Sequence, residues 1–420
     1  MRIGLLSFGG PAGQIALMHR IIVDEKRWLD EPRFLHALNY CMLLPGPEAQ
    51  QLATYVGWLL HGVKGGLVAG LLFILPGAVA IFLLSWMYVA LGDLAVTEGL
   101  FFGLKAAVLA IVVQALIRIA RRSLRGVLKP VLAAAGFVAL FVFSLPFPLV
   151  VLGAGIIGYL FARYLSPDGG NQAVPEVSTE TVLRPGTGLA AISCLVLWGL
   201  TVAALLLMLG NEHVFSQIAV FFSKMATVSF GGAYAVLAYV AQQGVETYQW
   251  LEPGEMLEGL GLAETTPGPL ILVTQFVGFL AAYREAAVAP SLLMAAYGAL
   301  LTTWVTFLPC FVWIFGGAPY VEKLRANHAL SAALAAVTAV VVGVIANLAV
   351  WFAVNALFSD HQRITGFGAD MQLPLPGSVN VPMMALAIIA FGCVFGLKMR
   401  ILPLLGTCAG LGVLWVLWLT

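Results

Sequence analysis

Apolar runs of about 20 residues, the length an α-helix needs to cross a bilayer, recur along the whole 420-residue chain. They lie near residues 65–91, 97–120, 130–145, 148–165, 188–210, 287–315, 329–357, 379–397 and 401–419. In hydrocarbon every backbone N–H and C=O must be paired within the protein, which leaves helices or a closed barrel. The runs lack the alternation of barrel strands, so helices are predicted. Charge agrees: Asp, Glu, Lys and Arg make up 10% of the chain, against roughly 25% in a soluble domain. So little charge cannot wet a globular surface, and the lipid bilayer is the expected surrounding. The net charge of +1 gives no basic field for a nucleic-acid partner. The five cysteines stand singly in apolar segments without metal-ligand or disulfide spacing, so no metal or cofactor is expected. No cleavable signal-peptide pattern opens the sequence.

The chain repeats itself. Ser7-Phe8-Gly9-Gly10 returns as Ser229-Phe230-Gly231-Gly232, Trp28-Leu29 as Trp250-Leu251, and Pro45-Gly46-Pro47 as Pro267-Gly268-Pro269, all at an offset of 222. Val56-Gly57 then matches Val277-Gly278, Leu75-Pro76 matches Leu308-Pro309, and the stretch after Lys105 resembles that after Leu334. The reading is an N-terminal repeat over 1–165, a polar linker over 166–187, a connecting transmembrane helix over 188–212 and a C-terminal repeat over 213–420.

Five plain apolar spans separate the two copies, and an odd number starts the second copy from the opposite membrane face. Lys and Arg favour the cytoplasmic side and provide an independent check. Loop 19–33 holds four of them, whereas its counterpart 241–258 holds none and carries four Glu. Segment 118–129 holds five, while its counterpart after 357 has only Arg363. The predicted fold is therefore an all-α integral membrane protein of two inverted-topology repeats with broken or re-entrant helices. Residues 118–129 and 318–328 are expected in the cytoplasm, and 92–98, 241–258 and 359–370 outside. Because loops 19–33 and 62–64 are both basic, segment 34–61 is expected to enter and leave on one side, turning at Pro45-Gly46-Pro47, where a helix cannot continue; a full span is the alternative, and the inversion holds for either. Segment 257–282 is its counterpart.

Broken helices at membrane depth are tolerated only where protein or water satisfies the freed backbone. Four symmetric breaks match the transporter pattern in which helix ends meet at a midplane site. Helix N-termini present unpaired N–H groups and the positive end of the dipole, which suits an anion. The candidate substrate-binding set is Ser7, Phe8, Gly9, Gly10, Pro45, Gly46, Pro47, Gln50, Ser229, Phe230, Gly231, Gly232, Thr265, Thr266, Pro267, Gly268 and Pro269. Two cations at equivalent positions join it, Arg2 and Lys224, each five residues before a break serine. Glu48, Glu264 and Lys105 are candidates for coupling, with Glu48 a suggested partner for Lys105. The bland alternatives are close helix packing for the glycines, snorkelling for the cations and helix capping for the carboxylates.

Ser7-Phe8-Gly9-Gly10-Pro11-Ala12-Gly13-Gln14, the stretch Leu43-Leu44-Pro45-Gly46-Pro47-Glu48-Ala49-Gln50-Gln51-Leu52-Ala53, and Thr266-Pro267-Gly268-Pro269 resemble the signature of the chromate ion transporter family, long two-domain type. The likeness covers nearly the whole chain and adds Gln14 to the candidate set. It implies secondary transport that exports chromate across the bacterial inner membrane and confers chromate resistance. A permease for sulfate or another oxyanion is the alternative. An intramembrane enzyme is a remote one, because the six histidines stand at loops or helix ends without ligand spacing. A homodimer is compatible with the sequence but not specified by it. In this sequence the lead-in before the first Ser-Phe-Gly-Gly is shorter than the family's usual one, and Ala238 and Glu264 stand where the family pattern has Pro and Gln.

Overall fold

The computed structural model describes residues 1–420 except 9, 93, 163–185, 231, 286–289, 318–327, 367 and 420. In chain order the helices are α1 (Arg2–Leu6), α2 (Gly10–His19), α3 (Glu31–Cys41), α4 (Glu48–Leu91), α5 (Ala95–Ser123), α6 (Leu128–Phe141) and α7 (Phe147–Leu160). There follow α8 (Thr187–Leu209), α9 (Val214–Val228), α10 (Ala233–Ala241), α11 (Pro253–Thr265), α12 (Val273–Arg284) and α13 (Leu292–Gly317). The last are α14 (His328–Leu357), α15 (Val381–Phe391) and α16 (Ile401–Leu419). Six of these are long and apolar enough to cross a membrane, and the protein is an all-α, multi-pass membrane protein. One small departure is an antiparallel hairpin, β1 (His361–Gly366) with β2 (Ala369–Pro374), inserted between α14 and α15.

The repeat is visible in local backbone. Each copy extends its second helix into a π-helical turn, Arg20–Glu25 and Gln242–Thr247, at the offset read from sequence. Each turn closes through a non-glycine residue in left-handed conformation, Arg27 (φ 51°) and Gln249 (φ 54°). The tryptophan amides then bond back six residues, Trp28 to Ile22 and Trp250 to Gly244, both at 2.8 Å. Such a cap satisfies carbonyls that a helix end leaves open. The charged segments 19–33 and 241–258, predicted as loops, are therefore mostly helical. The irregular backbone shrinks to a few residues because the caps absorb the polar groups. α4 carries the break expected near 62–64, at His61 (φ −131°) and Gly62 (φ 67°).

Two compact units are present, and each draws on both copies. The first comprises Met1–Phe82, Gly158–Val236 and Thr266–Leu334. Its core packs Phe34, Tyr40, Tyr55 and Trp58 with Leu308, Phe311 and Phe315. The rings of Tyr40 and Tyr55 meet at a tilt of 53° with centroids 5.1 Å apart, although fifteen residues of continuous helix would separate them by roughly 22 Å. The chain between them thus folds back at Pro45-Gly46-Pro47, as a re-entrant hairpin requires. α12 and α13 pack closely, Gly278 against Thr302 and Gly298, where any larger residue would collide.

The second unit comprises Leu83–Ile157, Leu237–Thr265 and Ala335–Thr420. α5 and α16 form its tightest pair. A side chain at Gly103 would collide with the Cys408 carbonyl, and one at Gly412 with Gly99. Small residues that let backbones approach drive such packing in lipid, where no hydrophobic effect separates helix from solvent. The linker predicted over 166–187 falls outside the described residues up to 185, as does 318–327 of the predicted cytoplasmic loop 318–328. α8 begins at Thr187, one residue before the apolar run predicted from 188.

Candidate functional site

The four predicted breaks lie in the first unit and are joined in crossed pairs. α1 stops at Ser7 (φ −80°, ψ 79°) and α9 at Ser229 (φ −81°, ψ 72°). Both residues form the centre of an inverse γ-turn, with Phe8 N–H bonded to the Leu6 carbonyl at 3.1 Å and Phe230 N–H to the Val228 carbonyl at 3.0 Å. Each serine hydroxyl bonds back into its own helix, Ser7 to Ile3 (2.6 Å) and Ser229 to Ala226 (3.0 Å). That leaves each serine carbonyl pointing beyond its helix end. The Ser7 carbonyl accepts the N–H of Gly268 at 2.8 Å, and the Ser229 carbonyl accepts the N–H of Gly46 at 2.9 Å. The Ser-Phe-Gly-Gly break of one copy is therefore bonded to the Pro-Gly-Pro break of the other, twice.

Glycine is required at the centre of both junctions. Gly46 (φ +120°) and Gly268 (φ +102°) are in the left-handed region, which costs an L-residue roughly 1–2 kcal/mol. Each also meets the segment around an intrahelical proline. The Cβ position of Gly268 lies 3.3 Å from the Cα of Gly77, just after Pro76, and that of Gly46 lies 2.9 Å from the Sγ of Cys310, just after Pro309. Leu75-Pro76 and Leu308-Pro309, matched in the sequence, thus occupy matched places. After the breaks, α2 restarts at Gly10 (φ +72°), α10 just beyond Gly232 (φ +102°), and α4 at Glu48. The first N–H groups of a helix have no partner within their own helix, an arrangement that in general suits an anion; in α2 the second position is Pro11, which brings no N–H.

Buried amides surround the junctions. Gln14 donates to the Gly268 carbonyl, Gln51 to the Pro45 carbonyl (2.6 Å) and Gln275 to the Ala78 carbonyl (2.9 Å). Gln50 donates to the Thr54 hydroxyl at 3.0 Å. The Oε1 atoms of Gln50 and Gln51 are buried without a hydrogen-bond partner among the described residues. Buried acceptors normally find a donor, so these oxygens call for water or a protonated ligand oxygen, whereas the helix starts suit the anionic part.

A family profile described as Chromate transporter matches residues 1–159 and 216–413, which includes every break described above. The chain belongs to the chromate transporter family. It is 31% identical over 351 residues to a "Chromate transport protein" of Pseudomonas aeruginosa, covering 82% of this chain and 77% of that one. It is 27% identical over 350 residues to a "Chromate transport protein" of Cupriavidus metallidurans, covering 82% and 79%. It is 23% identical over 356 residues to an uncharacterized transporter of Methanocaldococcus jannaschii, covering 84% and 82%. No solved structure matches.

The remaining candidates of this chromate transporter family member are scattered. Gly9 and Gly231 lie outside the described residues. Arg2 is exposed and pairs with Glu25 at 3.4 Å. Lys224 is exposed and forms no ion pair among the described residues. Pro47 and Glu48 open α4 half-buried, while Thr266 and Pro269 are buried beside Gly268. In the second unit Glu264 is buried near the end of α11 and Thr265 bonds back to the Leu262 carbonyl at 2.7 Å. Lys105 pairs with Glu258 at 2.7 Å, where the sequence had suggested Glu48. Glu258 escaped the sequence reading because it was counted with the acidic loop 241–258. In the structure α11 is buried all round from Met256 to Glu264, Glu258 included. The second unit also holds a polar cavity of about 290 Å³, lined among others by Gln242, Glu246, Asn355 and Arg363.

Proposed function

We propose that this protein is a secondary transporter that carries chromate, or a related tetrahedral oxyanion, out of the bacterial cytoplasm across the inner membrane and so confers chromate resistance. The observation that carries the reading is the crossed bonding of Ser7 to Gly268 and of Ser229 to Gly46. It gathers helix starts from both copies into one compact unit, as expected of a substrate site at the interface of inverted repeats. The printed names of the Pseudomonas and Cupriavidus relatives support chromate as the substrate.

The physics of export is favourable. A dianion leaving a cell that is negative inside gains about 4.6 kcal/mol per 100 mV for its two charges. No nucleotide-binding Gly-x-x-x-x-Gly-Lys segment occurs in the chain. Desolvation is the obstacle, since an unpaired buried charge costs many kcal/mol. The N–H groups at the restarts of α2, α4 and α10 and the cations Arg2 and Lys224 are the groups assigned to replace water. Chromate and sulfate share shape and charge, so the test measures both. Purified protein in proteoliposomes, with a set membrane potential, should move labelled chromate faster than sulfate, and outward when the inside is negative. Sulfate flux exceeding chromate flux would replace the substrate, and no flux of either would end the reading.

A further inference from the structure

Lys105 is the eleventh residue of the 29-residue apolar helix α5, one of those long enough to cross a membrane, about 15 Å from its start. Its Nζ lies 2.7 Å from Oε1 of Glu258, whose side chain is 10% exposed. The other carboxylate oxygen of Glu258 accepts the Tyr88 hydroxyl at 2.6 Å. The same hydroxyl lies 3.2 Å from Oε1 of Glu255, and Glu255 Oε2 accepts the N–H of Glu252 at 2.8 Å. All of these residues belong to the second unit. α5, packed on α11, also carries Glu98 in its first turn and Arg118, Arg121 and Arg122 towards its end, and α11 itself carries the buried Glu264. Its neighbour α16 carries no Asp, Glu, Lys, Arg or His, its one titratable side chain being Cys408.

Ionisable residues inside a membrane span are costly and persist where they have work to do. Helix packing does not require these. The equivalent positions in the first copy hold His36 for Glu258 and Arg33 for Glu255, and Leu334 stands opposite Lys105 in the second. Glu255 and Glu258 bring two carboxylates against the one ammonium of Lys105, so a single proton makes these three groups neutral together. Its order suits proton transfer. Glu255 is half-buried at one end, Tyr88 stands in the middle, and Glu258 is buried beside Lys105 at the other.

We propose that Glu258 takes up and releases a coupling proton of the transport cycle, with Lys105 as counter-ion and Tyr88 as relay from Glu255. A proton arriving on Glu255 passes to the Tyr88 oxygen while Tyr88 gives its own proton to Glu258. The tyrosine ends unchanged, and the neutral Glu258 releases Lys105. Return of the proton to water restores the ion pair. The inference rests on the transport reading above and names its coupling ion.

The experiment uses proteoliposomes with a pH dye inside and two chromate assays, one-for-one exchange and net flux under an imposed pH gradient. Wild type should show both, with a dye signal that follows chromate. Glu258→Gln should retain exchange within about threefold, lose gradient-driven net flux at least tenfold and abolish the chromate-dependent dye signal. Because this variant leaves the half-buried Lys105 without its ion-pair partner, the double variant Lys105→Gln/Glu258→Gln removes both charges and should behave alike. Tyr88→Phe should slow net flux several-fold and spare exchange. Either glutamate variant with a full dye signal overturns the proposal, as does a wild type that exchanges chromate without moving protons; the transport reading survives both results. A wild type that exchanges no oxyanion would sink the transport reading and the proton assignment together.

Discussion

The two break junctions have the same backbone and different side chains. At Ser7–Gly268 the facing helix presents Gly77, and Gln14 ties down the Gly268 carbonyl. At Ser229–Gly46 the facing helix presents Cys310, the position equivalent to Gln14 is Val236, and Gln51 ties down Pro45 instead. The γ-turns, the left-handed glycines and the crossed N–H···O bonds agree within a few tenths of an ångström and about twenty degrees. Backbone geometry is thus what the duplication preserves, and side chains are where the halves have specialised. A transporter that must bind one substrate from two sides can keep a symmetric frame and still hold an asymmetric ligand shell.

The sharpest way to break this comparison is to load both junctions equally. Gly268→Leu and Gly46→Leu should each cut chromate flux by about 100-fold, since the left-handed penalty alone is roughly 1–2 kcal/mol and neither side chain has room. Flux in proteoliposomes is compared at equal amounts of folded protein. If one variant is inactive and the other transports normally, the junctions are not functional equals. Next come the cations. Lys224→Ala should lose about tenfold or more, as expected for a charge-assisted contact of roughly 1.5–3 kcal/mol, and Lys224→Arg should keep part of the activity. Arg2→Ala should lose less, because Arg2 is already engaged by Glu25. Full activity of Lys224→Ala would leave the helix starts as the sole anion-binding device.

Smaller effects test the specialised side chains. Gln14→Leu removes one buried hydrogen bond and should lower stability by about 1 kcal/mol, read as a fall in the melting temperature in detergent. The reciprocal Val236→Gln buries an amide without a designed partner and should cost about 1–3 kcal/mol. Equal melting temperatures for both variants and wild type would mean that the two junctions are interchangeable after all. Least of all, Cys310→Gly makes the second junction resemble the first and should change flux by less than about threefold, with a cavity cost of order 1 kcal/mol. A large loss there would give Cys310 a role beyond filling space.

Much of this frame was legible in the sequence because duplication turns weak signals into strong ones. A single Gly-Gly pair reads as helix packing, whereas four breaks at one offset require a common cause. The helices followed from apolar run length, and the fold-back at Pro45-Gly46-Pro47 from the basic residues on both flanks. The pairing of breaks across copies was not legible, since nothing local in Ser7 names Gly268. Glu258 was misplaced for a related reason. A carboxylate in an acidic stretch reads as solvated until its counter-ion, Lys105 on another helix, is seen beside it. The β-hairpin at His361–Pro374 was missed because its strands, the first exposed and the second half-buried, carry no alternation strong enough to separate them from a loop.

The crossed junctions set a timetable for making the protein. Gln14 and the Gly268 carbonyl it grips are 254 residues apart. A ribosome adding about 5–20 residues per second needs roughly 10–50 s to cover that distance. Throughout that interval the first junction sits at the membrane with its Ser7 carbonyl and helix start unanswered, a cost of several kcal/mol for each group left in lipid. The nascent N-terminal half must therefore wait in a wet or chaperoned niche, and its burial in lipid becomes favourable only when the second half arrives to close it.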